Sequence, residues 1–494
     1  VIIAENCEIG ELSSIERDVI IWPDKIIEDA SVISNNVIWG NKYKNSIFEG
    51  GKVTGRTNIE LSCEMSTKLA EAFASLLPVG SKVYVSRDYH KSSRMIKRAF
   101  LGGLLSAGIN VVDVKMLPSN VMRKNLAEDD EILAGVHVRQ SVDNTINTEI
   151  LFFTSEGLEI DTNTEKSCER VFFRESFRRV NSENIGEITE QITGLKERYI
   201  KNFLLNIDKE FIKAKNPRVA VDLLFGSTHA VYPDIINGLG IENVTLNAYL
   251  DDKKLSKLSN YIKRSEGDLQ KIVSSLKMDA GFAIFPNGQR LHMTCKKGDL
   301  LSGHLTLLAI LTLLDGLGKD TKVYLPAFAP DILDKKLTNL SIERGKLNGL
   351  TASKLKQYDF IASIDGHFAF TQFALNFDAL FASIKILELL AKNDTDMSKI
   401  LESLPTFYYS ANKVECPSSL KGKMMRKFME NSEGKDASHL DGVKIWADSN
   451  SWVHMLPPQT GEYVNLFVQA DSREKGEKIL AEYIAKIEQW KIEE

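Results

Sequence analysis

The sequence predicts an α/β protein: a short parallel β-helix, then three modules in which strands alternate with helices, then a smaller α+β module. Three observations lead there. An apolar residue recurs at every sixth position at the start of the chain. Near-continuous apolar strands then alternate with amphipathic helices. The segment 401–494 changes texture again, to short strands between charged helices.

The hexad is carried by Ile3, Ile9, Ile15, Ile21, Ile27 and Ile33, with Trp39 at the next step. Such steps match neither the period of a helix nor the alternation of a strand. A parallel β-helix takes three hexads per triangular coil and turns one apolar side chain inward per hexad. Residues 1–40 are therefore assigned to it. Stacked repeats need neighbours to bury their shared face, so further coils are expected before Val1. The polar, glycine-rich stretch 41–57 reads as a linker or cap.

SKVYVSRD then reads as a strand, SSRMIKRAFLGGLLSAG as a helix with N-cap serines and a glycine stop, and INVVDVKML as a second strand. The same order returns in PRVAVDLL, STHAVYPDIINGLG and IENVTLNAYL. It returns a third time in TKVYLPAF, APDILDKKL and YDFIASIDG, followed by the helix FDALFASIKILELLA. This grammar implies parallel-rich sheets covered on both faces, with ligands beyond the carboxyl ends of the strands. The module boundaries are placed at 58–195, 196–318, 319–400 and 401–494.

Composition narrows the function. A chain of 494 residues with 43% hydrophobic and 26% charged residues is ordinary for a globular protein but too long for one core. A net charge of −5 gives no electrostatic footprint for nucleic acid, and no apolar run reaches the length of a membrane span. Cys7, Cys63, Cys168, Cys295 and Cys416 are odd in number and scattered, without a C-x-x-C pair. This pattern predicts reduced thiols in the cytoplasm and no zinc site.

The modules, in this order, resemble the α-D-phosphohexomutases (phosphoglucomutase and phosphomannomutase) from about Asn58 to the final helix. With the hexads and the IWPDK and VIWG segments, the resemblance extends to fused proteins of the mannose-1-phosphate guanylyltransferase kind. In those proteins a nucleotidyltransferase domain precedes a left-handed β-helix. The resemblance implies a left-handed coil here, a four-domain mutase-like fold, a sugar-phosphate ligand, an upstream nucleotidyltransferase domain on the same polypeptide and a homo-oligomer.

It also implies four functional loops. In GVHVRQSVDN, Ser141 takes the position of the phosphoryl-carrying serine, and Arg139 is a guanidinium suited to phosphate. In AIFPNGQRLHM, Phe285, Asn287 and Gln289 take the positions of three metal-binding aspartates, and Arg290 follows them. Magnesium is expected for the family, but it requires hard charged oxygens and its ligands are missing here. In ASIDGHFAF, Ser363 replaces the sugar-orienting glutamate, while Asp365 and His367 remain as candidate sugar contacts. In MLPPQTGEYVNLFVQA, Leu456 and Asn465 replace two phosphate-binding arginines, Pro458 replaces a serine, and Thr460 is kept. Arg87 and Asp88 match an opening phosphate-contact loop, or form an ion pair at a strand end. Lys421, Lys423 and Arg426 read as a solvated helix face, and His304 and His454 as packed side chains.

Three loops short of charge predict a pseudo-mutase region of a sugar-phosphate nucleotidyltransferase, with a regulatory, sugar-phosphate-binding or assembly role. Two alternatives stand beside it: an active phosphomannomutase or phosphoglucomutase using Ser141 as phosphoryl carrier, and a purely structural oligomerisation module.

Overall fold

In the computed structural model, which describes every residue except 30, 34, 35, 38–41, 44, 45, 192, 459, 460 and 494, the hexad segment pairs with itself. Ile2 lies parallel to Ile20, Glu8 to Ile26 and Ser14 to Val32, a spacing of 18 residues. Ile21, Ile27 and Ile33 are buried in one cluster with Val19 and Val37, whereas Ile3 and Ile9 are exposed. A stacked repeat buries its apolar face only where another repeat lies against it. Trp39 lies outside the described residues.

The chain divides into two compact units, Val1–Leu300 with Phe368–Glu388 and Leu301–His367 with Leu389–Glu494. The main sheet of the first unit runs Ile188–Glu190, Asn110–Asp113, Lys82–Arg87, Ile132–Gln140, Asn147–Thr154, Lys52–Arg56. The first four strands are parallel and the last two antiparallel. A second sheet includes Glu242–Leu246, Arg218–Asp222, Ala280–Ile284 and Leu291–Cys295 in that order, with the last two named antiparallel to each other. The sheets are thus mixed, because tight hairpins at 141–146 and 285–290 fold the chain directly back. Both hairpins carry candidate site residues.

The stretch expected as a linker, 41–57, contributes to the first core instead. Phe48 and Val53 are buried in it, and the Phe48 ring packs 5.2 Å from that of Phe152. Glu169 Oε1 accepts from the Ile47 and Phe48 amides at 2.7 and 3.0 Å, and Glu165 Oε1 from the Gly51 amide at 2.6 Å. Glycines make this stretch read as loop, yet the amides of Ile47, Phe48 and Gly51 are what the helix carboxylates bind. The helix expected over 92–108 spans Lys91–Ser106, capped by His90 rather than by the serines.

Segment 368–388 was expected to belong to the module 319–400, but its packing assigns it to the first unit. Phe373 and Phe381 stack at 4.2 Å, with Tyr199 5.5 Å from Phe373 and Phe203 5.1 Å from Phe381. Beside them, Asp378 Oδ2 accepts from Tyr199 Oη at 2.7 Å and Asn120 Nδ2 at 2.9 Å, and Oδ1 accepts from the Phe381 amide at 3.0 Å. Burial pushes the Asp378 carboxyl up to about 6, against hydrogen bonds that favour its charge.

That shift sets a pH dependence. The folded value lies above the ordinary 3.8, so between the two the native state holds a proton that the unfolded chain has released. Stability contributed here is full below about pH 4 and falls as pH rises through 6, by up to about 3 kcal/mol. Asp378→Asn should therefore gain on the wild type in urea denaturation as pH rises from 4 to 7. A constant difference between the two would show that Asp378 does not titrate in this window.

In the second unit, Leu340–Gly345, Thr321–Pro326 and Phe360–Ala362 lie parallel. The C-terminal sheet, Tyr408–Glu415, Tyr463–Ala470, Trp452–Leu456, Val443–Trp446, Ala437–Ser438, is antiparallel throughout. Asp331 fastens the two: its carboxylate accepts from Lys444 Nζ at 2.9 Å, Trp452 Nε1 at 3.0 Å and Gln469 Nε2 at 2.7 Å. Burial lowers Lys444 to about 8, with Asp331 opposing.

Candidate functional site

Ser141 stands where Ile132–Gln140 turns back into Asn147–Thr154, in a register that sets Arg139 opposite Glu149. One carboxylate organises the group. Glu149 Oε2 accepts from Arg139 Nε at 2.7 Å, and Oε1 accepts from Ser141 Oγ at 3.0 Å and Lys52 Nζ at 3.3 Å. Ser141, expected in a polar turn, is only 4% exposed, and Arg139 9%. Arg139 Nη1 has no hydrogen-bond partner among the described residues. Burial alone would raise the Glu149 carboxyl, but the charges of Arg139 and Lys52, with hydrogen bonds from Arg139 and Ser141, hold it at about 2. Arg139, expected to meet a phosphate, meets an internal carboxylate first.

Asp88 positions the same turn. Its Oδ2 accepts from the amide of Gln140 at 2.7 Å and its Oδ1 from that of His90 at 2.9 Å. Burial pushes its carboxyl up. Arg87 donates through Nη1 to the Asp88 backbone carbonyl at 2.7 Å, so the contact between them is not the expected ion pair. Burial, and Arg94 beside it, push the Arg87 guanidinium down from its ordinary range.

The loop expected to hold a metal is a tight hairpin turn. The Gly288 amide donates to the Phe285 carbonyl at 2.8 Å, and Gly288 has φ 69°, a conformation that favours glycine. Asn287 Oδ1 accepts from the amides of Gln289 and Arg290 at 3.0 and 3.4 Å. Phe285 is 1% exposed, in an apolar cluster with Tyr89 and Leu224 on which Val142 also packs. The turn after Ser141 thus meets a hydrocarbon surface. The Arg290 guanidinium lies over the Phe285 ring at 4.6 Å.

The three positions supply an aromatic ring, an amide oxygen engaged in the turn and a buried glutamine. Among the described residues no group of three or more His, Cys, Asp or Glu could hold a metal ion. The residues present do not fit magnesium, which is held by hard, charged oxygens.

The other two loops lie in the second unit. Asp365 Oδ1 and His367 Nδ1 are 2.8 Å apart, and the Ser363 amide donates to the His367 carbonyl at 2.9 Å around Gly366. The helix Gly303–Asp315 starts against this loop, since a Cβ on Gly303 would collide with the carbonyl of Ile364. Leu456 and Asn465 face each other across a ladder, and Thr460 lies outside the described residues. A cation reaches this loop from elsewhere: Lys421 Nζ donates to the Pro458 carbonyl at 2.9 Å, so the basic run is not wholly a solvated face. His304 packs on Tyr409 at 4.8 Å, and His454 lies buried about 6 Å from the rings of Phe328 and Phe467, both packed as expected.

Within the first unit the structure brings together Ser141 and Arg139, with Phe285 and Arg290 on the surface that Val142 touches. It adds Glu149 and Lys52, which sequence reasoning missed. The available signal was Arg139 itself, since an arginine within an apolar strand requires a carboxylate partner, and the short turn at 141–146 places Glu149 across from it.

Residues 45–179 match the family model described as phosphoglucomutase/phosphomannomutase, alpha/beta/alpha domain I. A phosphoglucomutase/phosphomannomutase from Thermococcus kodakarensis is 26% identical over 441 residues, 87% of this chain and 95% of that protein. A phosphoglucosamine mutase from Methanocaldococcus jannaschii is 23% identical, over 87% of this chain and 97% of that protein. A solved structure of a phosphoglucomutase/phosphomannomutase family protein from Burkholderia thailandensis superposes with a TM-score of 0.77 at 19% identity, covering 91% of this chain and 98% of that one, which shows a shared fold. These relatives overturn the expected pseudo-mutase region of a nucleotidyltransferase: each is a mutase by name, matched over nearly its whole length. None of them carries the guanylyltransferase resemblance. The domain match covers residues 45–179, and the curated relatives resemble the chain along most of its length at 23–26% identity.

Proposed function

We propose that this protein is a hexose-phosphate mutase that moves a phosphoryl group between hydroxyls of a phosphorylated hexose or amino-hexose by way of Ser141. The observation that carries the reading is the seating of Ser141: its hydroxyl is held by a carboxylate that also binds two cations, in a turn fixed by Asp88. A serine placed so has its hydroxyl directed, a proton acceptor in contact and positive charge at hand, which phosphoryl transfer through a side chain requires. The mutase names of relatives spanning most of the chain favour the same reaction. Arg87 and Arg290, in the same unit as Ser141, act as phosphate contacts in this reading.

The four-module division and a cytoplasmic site belong to the same proposal. Five unpaired cysteines agree with that compartment, and no helix among the described residues is long and apolar enough to cross a membrane. The 18-residue ladders suit a left-handed β-helix, and the exposed Ile2, Ile3, Ile9 and Leu12 there suit a homo-oligomeric contact.

Intact-mass spectrometry tests the reaction. Protein incubated with glucose 1,6-bisphosphate and magnesium should gain one phosphate that maps to Ser141 and is absent in Ser141→Ala. An unmodified mass would overturn the mutase reading.

A further inference from the structure

The turn at 285–290 offers a divalent cation almost nothing, while the turn at 141–146 already carries fixed charge. A phosphoryl group brings up to about two negative charges to its acceptor, and these need compensation during transfer. Arg139 and Lys52 supply two positive charges, both within 3.3 Å of Glu149, whose Oε1 takes the Ser141 hydrogen bond. Arg139 is 9% exposed and its Nη1 lacks a partner among the described residues, a buried donor whose desolvation a phosphate oxygen would offset.

Resting on the carrier role of Ser141, we infer that transfer to this serine needs no divalent cation: Arg139 and Lys52 hold the phosphoryl charge, and Glu149 receives the hydroxyl proton. The step balances. A bond forms between Ser141 Oγ and phosphorus, the bond from phosphorus to the sugar oxygen breaks, and the proton passes from Oγ to Glu149 and then to the leaving sugar oxygen. With Glu149 neutralised by that proton, two cations face a phosphoryl dianion and the local charge sums to near zero. The approaching dianion itself raises the proton affinity of Glu149, as like charges do. The Phe285 ring serves as a dry wall beside the turn, where an uncompensated cation would be costly.

The test follows phosphoserine formation over time in the full chain. One sample is stripped with EDTA and desalted, the other supplied with magnesium, and both receive glucose 1,6-bisphosphate. Rates should agree within about twofold. Titration calorimetry with magnesium alone should show no binding. A rate about 100-fold or more lower without magnesium would overturn the inference while leaving Ser141 as carrier, and no phosphate in either sample would overturn both. Glu149→Gln should slow the step by at least about 100-fold, the usual scale for a lost proton acceptor. Phosphorylation of that variant at the wild-type rate would remove Glu149 from the step. Lys52→Met, at a partly exposed position, provides a variant that leaves the buried pair intact and should slow transfer about tenfold.

Discussion

Glu149→Ala is expected to cost about 3–5 kcal/mol of stability in urea denaturation, because it leaves Arg139 charged and buried without its carboxylate. The cost should greatly exceed that of removing an exposed partner such as Glu131 from Lys82, a surface pair screened by solvent. The pair also predicts a pH response opposite in sign to that of Asp378. Glu149 is held at about 2, below its ordinary 4.5, so its contribution is full above about pH 4.5 and is lost as pH falls toward 2. A Glu149→Ala variant should therefore approach the wild type in stability on acidification. If the two differ by under about 1 kcal/mol at neutral pH, the buried pair is not what orders this turn.

Ser141→Ala should lower mutase turnover on glucose 1-phosphate by a factor on the order of 10³ or more, with only about 1 kcal/mol lost in stability. The small structural cost follows from the contacts: the alanine gives up one hydrogen bond to Glu149, while Arg139 and Lys52 still satisfy that carboxylate. The asymmetry between the two variants separates carrier from scaffold. Turnover in Ser141→Ala close to that of the wild type would place the carrier elsewhere, and loss of fold would make the hydroxyl structural.

Much of this was legible in the residues. The hexads announced their three-step spacing through isoleucine alone, because stacking repeats one apolar requirement per step. The strand–helix alternation announced the α/β sheets, since period and length separate the two elements. Ser141, Arg139 and the uncharged loop at Phe285 stood out once the resemblance gave them positions. The sequence also showed no carboxylate at Phe285, Asn287 or Gln289, which is a matter of residue type.

Other features were set by partners distant along the chain. That 46–57 belongs to the first core depends on Glu165 and Glu169, more than a hundred residues away. That 368–388 packs with Asn120 and Tyr199 depends on a buried aspartate whose sequence neighbours give no sign of it. The expectation of a silent scaffold rested on counting charges within four loops. Lys52 comes to Glu149, the partner of the serine, from an edge strand, and Lys421 comes to Pro458 from a helix, so charge missing from a loop can return through space. The sequence by itself determined which elements form and which ligand types are absent, because propensity, period and side-chain chemistry are local. Only the tertiary structure decided which charges meet at Ser141, because electrostatic energy depends on distance in space and on burial, and strand register sets both.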